Sequence, residues 1–165
     1  MIRHVHRFWQ AACLTVAIVG LAVASPARAE YVNCVQFVQQ ATGLDLRGDA
    51  HQWWDHASGR YARGHVPHDG AVMVFAKARH MRHGHVGVVR DVINNRTILL
   101  DHANWSPVGG RRGRVENAVT VIDVSPRNDW SKVRVWYDPV ADIGQRVYAV
   151  KGFVYATSNP VLRAY

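Results

Sequence analysis

The chain has 165 residues, and its 20 lysine and arginine residues against 12 acidic ones give a formal net charge of +8 near neutral pH. This length supports one ordinary domain with a single core and argues against a second domain. The basic surface favours polyanionic partners such as cell wall polymers, anionic lipid head groups or nucleic acid, but charge alone selects none of them.

The first residues have the pattern of a secretory signal peptide. Arg3 and Arg7 precede an uncharged apolar run over 11–24, and the small-residue pattern Ala27-Arg28-Ala29 follows. The apolar run is shorter than the roughly 20 residues that a membrane-spanning helix needs. We therefore expect a signal peptide at 1–29 and a single domain at 30–165. The mature protein should be periplasmic or secreted, without stable membrane insertion.

The number and position of the cysteines indicate a candidate reactive thiol. Cleavage after Ala29 would remove Cys13 and leave Cys34 as the one remaining cysteine, in a compartment where pairs of cysteines oxidise. Such a thiol is incidental, half of an intermolecular disulfide, or a reactive group kept for chemistry. Asn33 is a good N-cap and Gly43 a natural stop, so Cys34 should lie in the first turn of a short helix. Partial positive charge at this end would lower the pKa of the thiol.

The pattern of the chain stays helical in one more segment and becomes extended from Gly70 onward. A second helical signal runs from Asp49 through Trp53 and Trp54 to Gly59. Short β-branched or aromatic runs follow at 71–75, 86–92, 97–101, 119–124, 133–137 and 147–155. Their connections are too short for crossover helices, so the sheet should be mainly antiparallel. The sequence therefore predicts an α+β domain, with N-terminal helices packed on a sheet of about six strands.

Two segments offer partners for the thiol. His85 opens an apolar strand and is a candidate base, with a surface or core histidine as the alternative. A base of this kind needs a residue that fixes its tautomer and orientation. In the segment 98–105, strand alternation places His102 and Asn104 on one face and Asp101 on the other. Alternation favours His102 or Asn104 as the orienting residue, and Asp101 would need a β-bulge.

Four segments, 33–37, 70–75, 84–89 and 101–105, occur in an order and spacing that resembles the CHAP family of cysteine and histidine dependent amidohydrolases and peptidases. The resemblance implies a papain-like fold, Cys34 as nucleophile, His85 as base and amide bonds of peptidoglycan as substrate. One departure is that His102 stands where the family often has Glu. A Cys, His, His set occurs in the related NlpC/P60 hydrolases, so His102 can serve and Asn104 is the fallback.

The remaining expectations concern ligands. Trp53, Trp54 and Trp105 are candidates to line a substrate groove, although paired tryptophans on a short helix also suit a core. We expect a monomer that acts on peptidoglycan or its peptide fragments without a cofactor, metal or nucleic acid. The alternatives are a non-catalytic wall-binding module, an amidase of another amide conjugate, and a metal-dependent hydrolase using His80, His83, His85 and His102. The bond cut, by an amidase or an endopeptidase, stays open.

Overall fold

The structure is a computed structural model and describes residues 31–156. The predicted signal peptide, 1–29, lies outside the described residues.

Helix α1 spans Cys34–Thr42, and α2 spans Trp53–His56 directly after a 3-10 turn at Ala50–Gln52. The strands of the described part are β1 Arg63–Gly64, β2 Ala71–Phe75, β3 His85–Asn94, β4 Thr97–Ala103, β5 Val115–Asp123, β6 Lys132–Tyr137, β7 Asp142–Ile143 and β8 Tyr148–Tyr155. A second 3-10 turn, Asp138–Val140, joins β6 to β7. Within residues 31–156, no helix has the length and apolar character needed to cross a membrane.

The sheet closes on itself. Strands β2 to β6 pair in chain order, each antiparallel to the next. Strand β8 pairs with β2 along one edge and with β6 along the other, where Lys132 lies opposite Ala149 and Val133 opposite Tyr148. The two-residue strands β1 and β7 extend this sheet beside β8 and β6. The described chain is therefore mostly a closed barrel of six antiparallel strands.

This architecture shows that the fold-class prediction is wrong. The sequence predicted an α+β, papain-like fold with N-terminal helices packed on a sheet, whereas the structure is a closed barrel with two short helices. The second predicted helix, from Asp49 to Gly59, is reduced to a 3-10 turn and the four-residue α2. Closure depends on the pairing of β6 with β8, and local periodicity carries no information about which strand edges meet.

Strand β2 is buried on both faces, which explains its unbroken apolar run. Ala71, Met73 and Phe75 point into the barrel core, whereas Val72 and Val74 point outward beneath the helices. The outer layer also contains Val38 of α1 and Trp53 of α2, together with the partly buried Cys34. The helical segment is thus held against the outside of β2 and β3, and its first turn lies beside the start of β3.

We predict that Gly152→Ala strongly destabilises the barrel. Gly152 has φ 140° within β8, and a Cβ there would lie 2.6 Å from the Gly64 carbonyl oxygen and against the Trp54 ring. The free energy of unfolding should fall by about 2 to 3 kcal/mol, as measured by urea denaturation. The control is Gly59→Ala, where φ is 73° and no atom of the described residues lies within 4 Å of the new Cβ. That variant should lose about 1 kcal/mol. Equal losses in the two variants would contradict the packing described here.

Candidate active site

Cys34 is the first residue of α1, and a capping box holds this helix start in place. The Asn33 Oδ1 accepts a hydrogen bond from the Gln36 amide at 2.9 Å, and the Gln36 side chain bonds back to Asn33. Gly43 ends the helix with φ 70°. The prediction of a cysteine in the first helical turn is confirmed.

The environment of the Cys34 thiol differs from the one expected. Burial raises the pKa of the thiol above its ordinary value, although the backbone amides of Val86, Val35 and Cys34 itself oppose this rise. The amides at the helix start do lower the pKa, as expected, but loss of hydration outweighs them and the net shift is upward. The contact with the Val86 amide also places the thiol beside the residue that follows His85.

His85 begins β3 at the point where the strand meets the helical layer. Gly84 just before it has φ 69°, and a Cβ there would lie 2.7 Å from the His51 backbone nitrogen. This close approach needs glycine, and the His51 amide bonds the His83 carbonyl at 3.0 Å. The His85 ring is buried and packs near Phe75, with ring centroids 5.5 Å apart. The start of β3 is therefore fixed by backbone contacts on the helical side.

His102 lies directly behind His85. The His85 Nε2 and the His102 Nδ1 are 3.0 Å apart, and His102 is fully buried. Burial lowers the pKa of His102 to about 3. Burial also lowers the pKa of His85 well below its ordinary value, and the neighbouring His102 and Arg112 add to this effect. Both imidazoles are therefore neutral near neutral pH.

Only one of the two neutral imidazoles donates in this hydrogen bond. Which one donates decides whether His85 can act as a base. If His85 Nε2 carries the hydrogen and donates to His102, then His85 Nδ1 keeps a lone pair and can accept a proton. His102 Nε2 then carries its own hydrogen; this nitrogen is buried and has no hydrogen-bond partner within residues 31–156. The opposite arrangement would protonate His85 Nδ1 and remove its basicity. The pair can therefore supply a base only in the first tautomer.

Asp101 faces away from the histidine pair. Its Oδ1 accepts hydrogen bonds from Arg90 Nε at 2.7 Å and from the Ala118 amide at 2.8 Å. A bulge does lie nearby, because Leu100 pairs with Val119 and His102 with Glu116. The extra residue of that bulge is on β5, where Ala118 has φ 53°. Strand β4 keeps its regular alternation, so Asp101 is held on the outer face and braces the bulge of its neighbour.

A cleft of about 1320 Å³ joins the helical side to the barrel. Cys34, His85, Asn104 and Trp105 line it, with His102 behind His85. The Asn104 Oδ1 is buried and has no partner among residues 31–156. No hydrogen bond of the described residues joins the Cys34 Sγ to His85. The structure therefore brings the candidate catalytic residues to one cleft but leaves the thiol and the base unbonded to each other.

The two remaining tryptophan candidates are elsewhere. Trp53 is fully buried in the core beneath α1, and Trp54 packs against Arg63, whose guanidinium carbon is 4.7 Å from the ring centroid. Neither lines the cleft. Sequence reasoning missed Arg146 and Tyr148, which line its barrel side. No local motif marks them, because they reach the cleft only through closure of the sheet by β8.

The histidine cluster considered for a metal is dispersed in the described part of the chain. His83 Nδ1 lies 3.0 Å from Asp49 Oδ1, and His80 packs near Tyr148 with ring centroids 5.6 Å apart. No group of three or more His, Cys, Asp or Glu side chains in residues 31–156 is arranged to hold a metal ion. Of these four histidines, His85 and His102 are hydrogen-bonded to each other.

The buried histidines predict a pH dependence of stability. The unfolded chain binds a proton on His102 near pH 6.5, whereas the native chain binds it only near pH 3. The free energy of unfolding should therefore fall as the pH is lowered through this window, by up to about 1.4 kcal/mol per pH unit for this one group. Urea denaturation at pH 7.5, 6 and 5 measures the slope. His102→Leu should make the slope shallower, with a remainder from His85, whose pKa burial also lowers. An identical slope in this variant would contradict the assignment.

No curated protein matches the sequence closely enough to identify a relative. A sequence model of the CHAP domain matches residues 25–104. The matched segment contains Cys34, His85, His102 and Asn104, and it ends before β5. CHAP domains are in general hydrolytic, acting as amidases or peptidases on peptidoglycan-related substrates. The match over residues 25–104 is to the same CHAP domain that the motifs of the sequence resemble.

Proposed function

We propose that this protein is a cysteine hydrolase that cleaves amide or peptide bonds of peptidoglycan, with Cys34 as the nucleophile and His85 as the base. The observation that carries the proposal is the buried hydrogen bond between His85 and His102, beside the thiol in one open cleft. A histidine held by a second group, next to a nucleophile, is the arrangement that acyl transfer needs. The CHAP match over the same residues supports this chemistry.

The reaction would proceed through an acyl-enzyme. His85 Nδ1 takes the proton of the Cys34 Sγ as the sulfur attacks the carbonyl carbon, and the amides at the start of α1 are available to the developing oxyanion. His85 then returns the proton to the leaving amine as the C–N bond breaks. Water, deprotonated by His85, hydrolyses the thioester. Because the pKa of the thiol is raised and that of His85 is lowered, proton transfer accompanies the attack.

The gap between the thiol and the imidazole is compatible with this role, since catalytic hydrogen bonds are often long in a site without substrate and shorten on binding. His102 is proposed as the positioning residue that holds the productive tautomer of His85. Asn104, whose Oδ1 is unpaired in the cleft, and Trp105, whose ring adjoins His85 at 4.9 Å, are proposed to contact the substrate. Each of these assignments is testable by substitution.

Digestion of purified peptidoglycan by the mature protein, with mass analysis of the fragments, tests the function. Wild-type protein should release fragments whose masses name the bond, and Cys34→Ala should release none. Among variants of the positioning residue, His102→Leu keeps the volume but removes the hydrogen bond, so turnover should fall about 100-fold or more. His102→Gln should recover part of the loss, because the amide oxygen of Gln can accept a hydrogen bond from the His85 Nε2–H group.

The matched control is Asp101→Asn. This change weakens the contacts with Arg90 and the Ala118 amide, so the melting temperature should drop while turnover stays near that of wild type. The opposite pattern, an inactive Asp101→Asn beside a fully active His102→Leu, would contradict the assignment. A wild-type protein that binds peptidoglycan without cutting it would instead indicate a wall-binding module.

We also propose that the protein is exported and acts outside the cytoplasm, where its substrate lies. The support is the order of positive charge, apolar run and small-residue pattern in residues 1–29. Mass measurement of the native protein should give a chain that begins at Glu30. A native protein that retains Met1 and the apolar run would sink this proposal.

A further inference from the structure

Beside the histidine pair, the barrel side of the cleft has a distinct composition. The Trp105 ring centroid lies 4.9 Å from that of His85 and also 4.9 Å from that of Tyr148. The Arg112 Nη1 donates to the Trp105 carbonyl oxygen at 2.5 Å, and Arg146 lies next to Tyr148. These aromatic and cationic side chains form one continuous wall from the base outward, which we call the Arg112–Arg146 wall.

No ion pair among residues 31–156 neutralises the charges of this wall. Neither Arg112 nor Arg146 forms an ion pair with a carboxylate of residues 31–156, although Arg90, Arg96 and Arg114 of the barrel each do. The carboxylates that line the cleft have other partners. Asp49 binds His83 at 3.0 Å, and Asp142 accepts a hydrogen bond from the Ile143 amide at 2.6 Å.

The two cations lie close enough to the cleft to affect the pKa values of groups inside it. Tyr148 is half-buried, and its burial raises the pKa of the phenol, whereas the charges of Arg146 and Arg112 oppose that rise. Arg112 likewise helps to lower the pKa of His85. Each guanidinium therefore acts on a group inside the cleft. Guanidinium groups bind carboxylates in a bidentate, planar geometry, and a phenol hydroxyl adds one more donor.

We infer that the Arg112–Arg146 wall binds a free carboxylate of the substrate, with Tyr148 as a further donor, and so selects acidic peptides. This inference rests on the proposed hydrolase function and deepens it, because it states which chemical class of acyl or amine group sits beside the scissile bond. Arg112, Arg146 and Tyr148 all lie outside the segment matched by the CHAP domain, so the site belongs to the rest of this chain.

The test uses one soluble peptidoglycan stem peptide and the same peptide with its free carboxylates converted to primary amides. Wild-type protein should show a kcat/KM about 10-fold or more higher for the carboxylate form. Arg146→Gln should remove most of that preference, chiefly by lowering the rate on the carboxylate peptide, and Arg146→Lys should retain part of it. The control is Arg111→Gln, which removes an equal charge from the same loop as Arg112 but does not line the cleft.

Equal rates of the wild type on the two peptides, or an equal loss on both in Arg146→Gln, would overturn the inference while leaving the hydrolase function intact. If neither peptide is cut, digestion of whole peptidoglycan shows whether the hydrolase function fails or the peptide lacks the scissile bond, and calorimetric binding to Cys34→Ala tests the site alone. The carboxylate peptide should then bind more tightly than the amide form, and more weakly to a Cys34→Ala/Arg146→Gln double variant. Equal affinities, or competition by inorganic phosphate without any carboxylate preference, would also overturn it.

Discussion

The closure of the sheet by β8 is the constraint on which the rest of the structure depends. One edge of β8 pairs with β2 and the other with β6, so the six strands enclose a single core. The same pairing brings Tyr148, at the start of β8, against Trp105 beyond the end of β4. The cleft therefore has two sides of different origin. The helical layer contributes the thiol, and the barrel contributes the histidine pair and the cationic wall.

Loss of hydration dominates the electrostatics of this cleft. It raises the pKa of Cys34 despite the amides at the helix start, and it lowers the pKa of His85 and of His102. A buried pair of neutral imidazoles costs less than a buried charge, and their mutual hydrogen bond satisfies one donor and one acceptor. The resting site therefore contains no preformed ion pair, and charge would develop only as substrate excludes water and the proton moves.

The neighbouring bulge shows how a carboxylate next to the candidate site in sequence can bond to the sheet instead of to the histidine pair. Asp101 is adjacent in sequence to His102, yet its carboxylate is bonded to Arg90 and to the Ala118 amide on the outer face. The bulge lies in β5, and the carboxylate satisfies an amide that the irregular ladder leaves free. Strand β4 itself stays regular, which keeps His102 pointing toward His85.

The sequence by itself determined what depends on local order. Asn33 and Gly43 bound α1 and put Cys34 in its first turn, and alternation separated His102 from Asp101. Short motifs indicated the CHAP domain, whose model matches residues 25–104. For the paired Trp53 and Trp54, the sequence did not decide between a place in the core and a place in a substrate groove. Periodicity does not show which layer of the fold covers a helix. Tertiary structure alone decided that Trp53 is core, that the sheet closes into a barrel, and that Arg146 and Tyr148 reach the cleft. The physical reason is that these contacts join residues far apart in the chain, through strand edges whose pairing is set by the packing of the whole core.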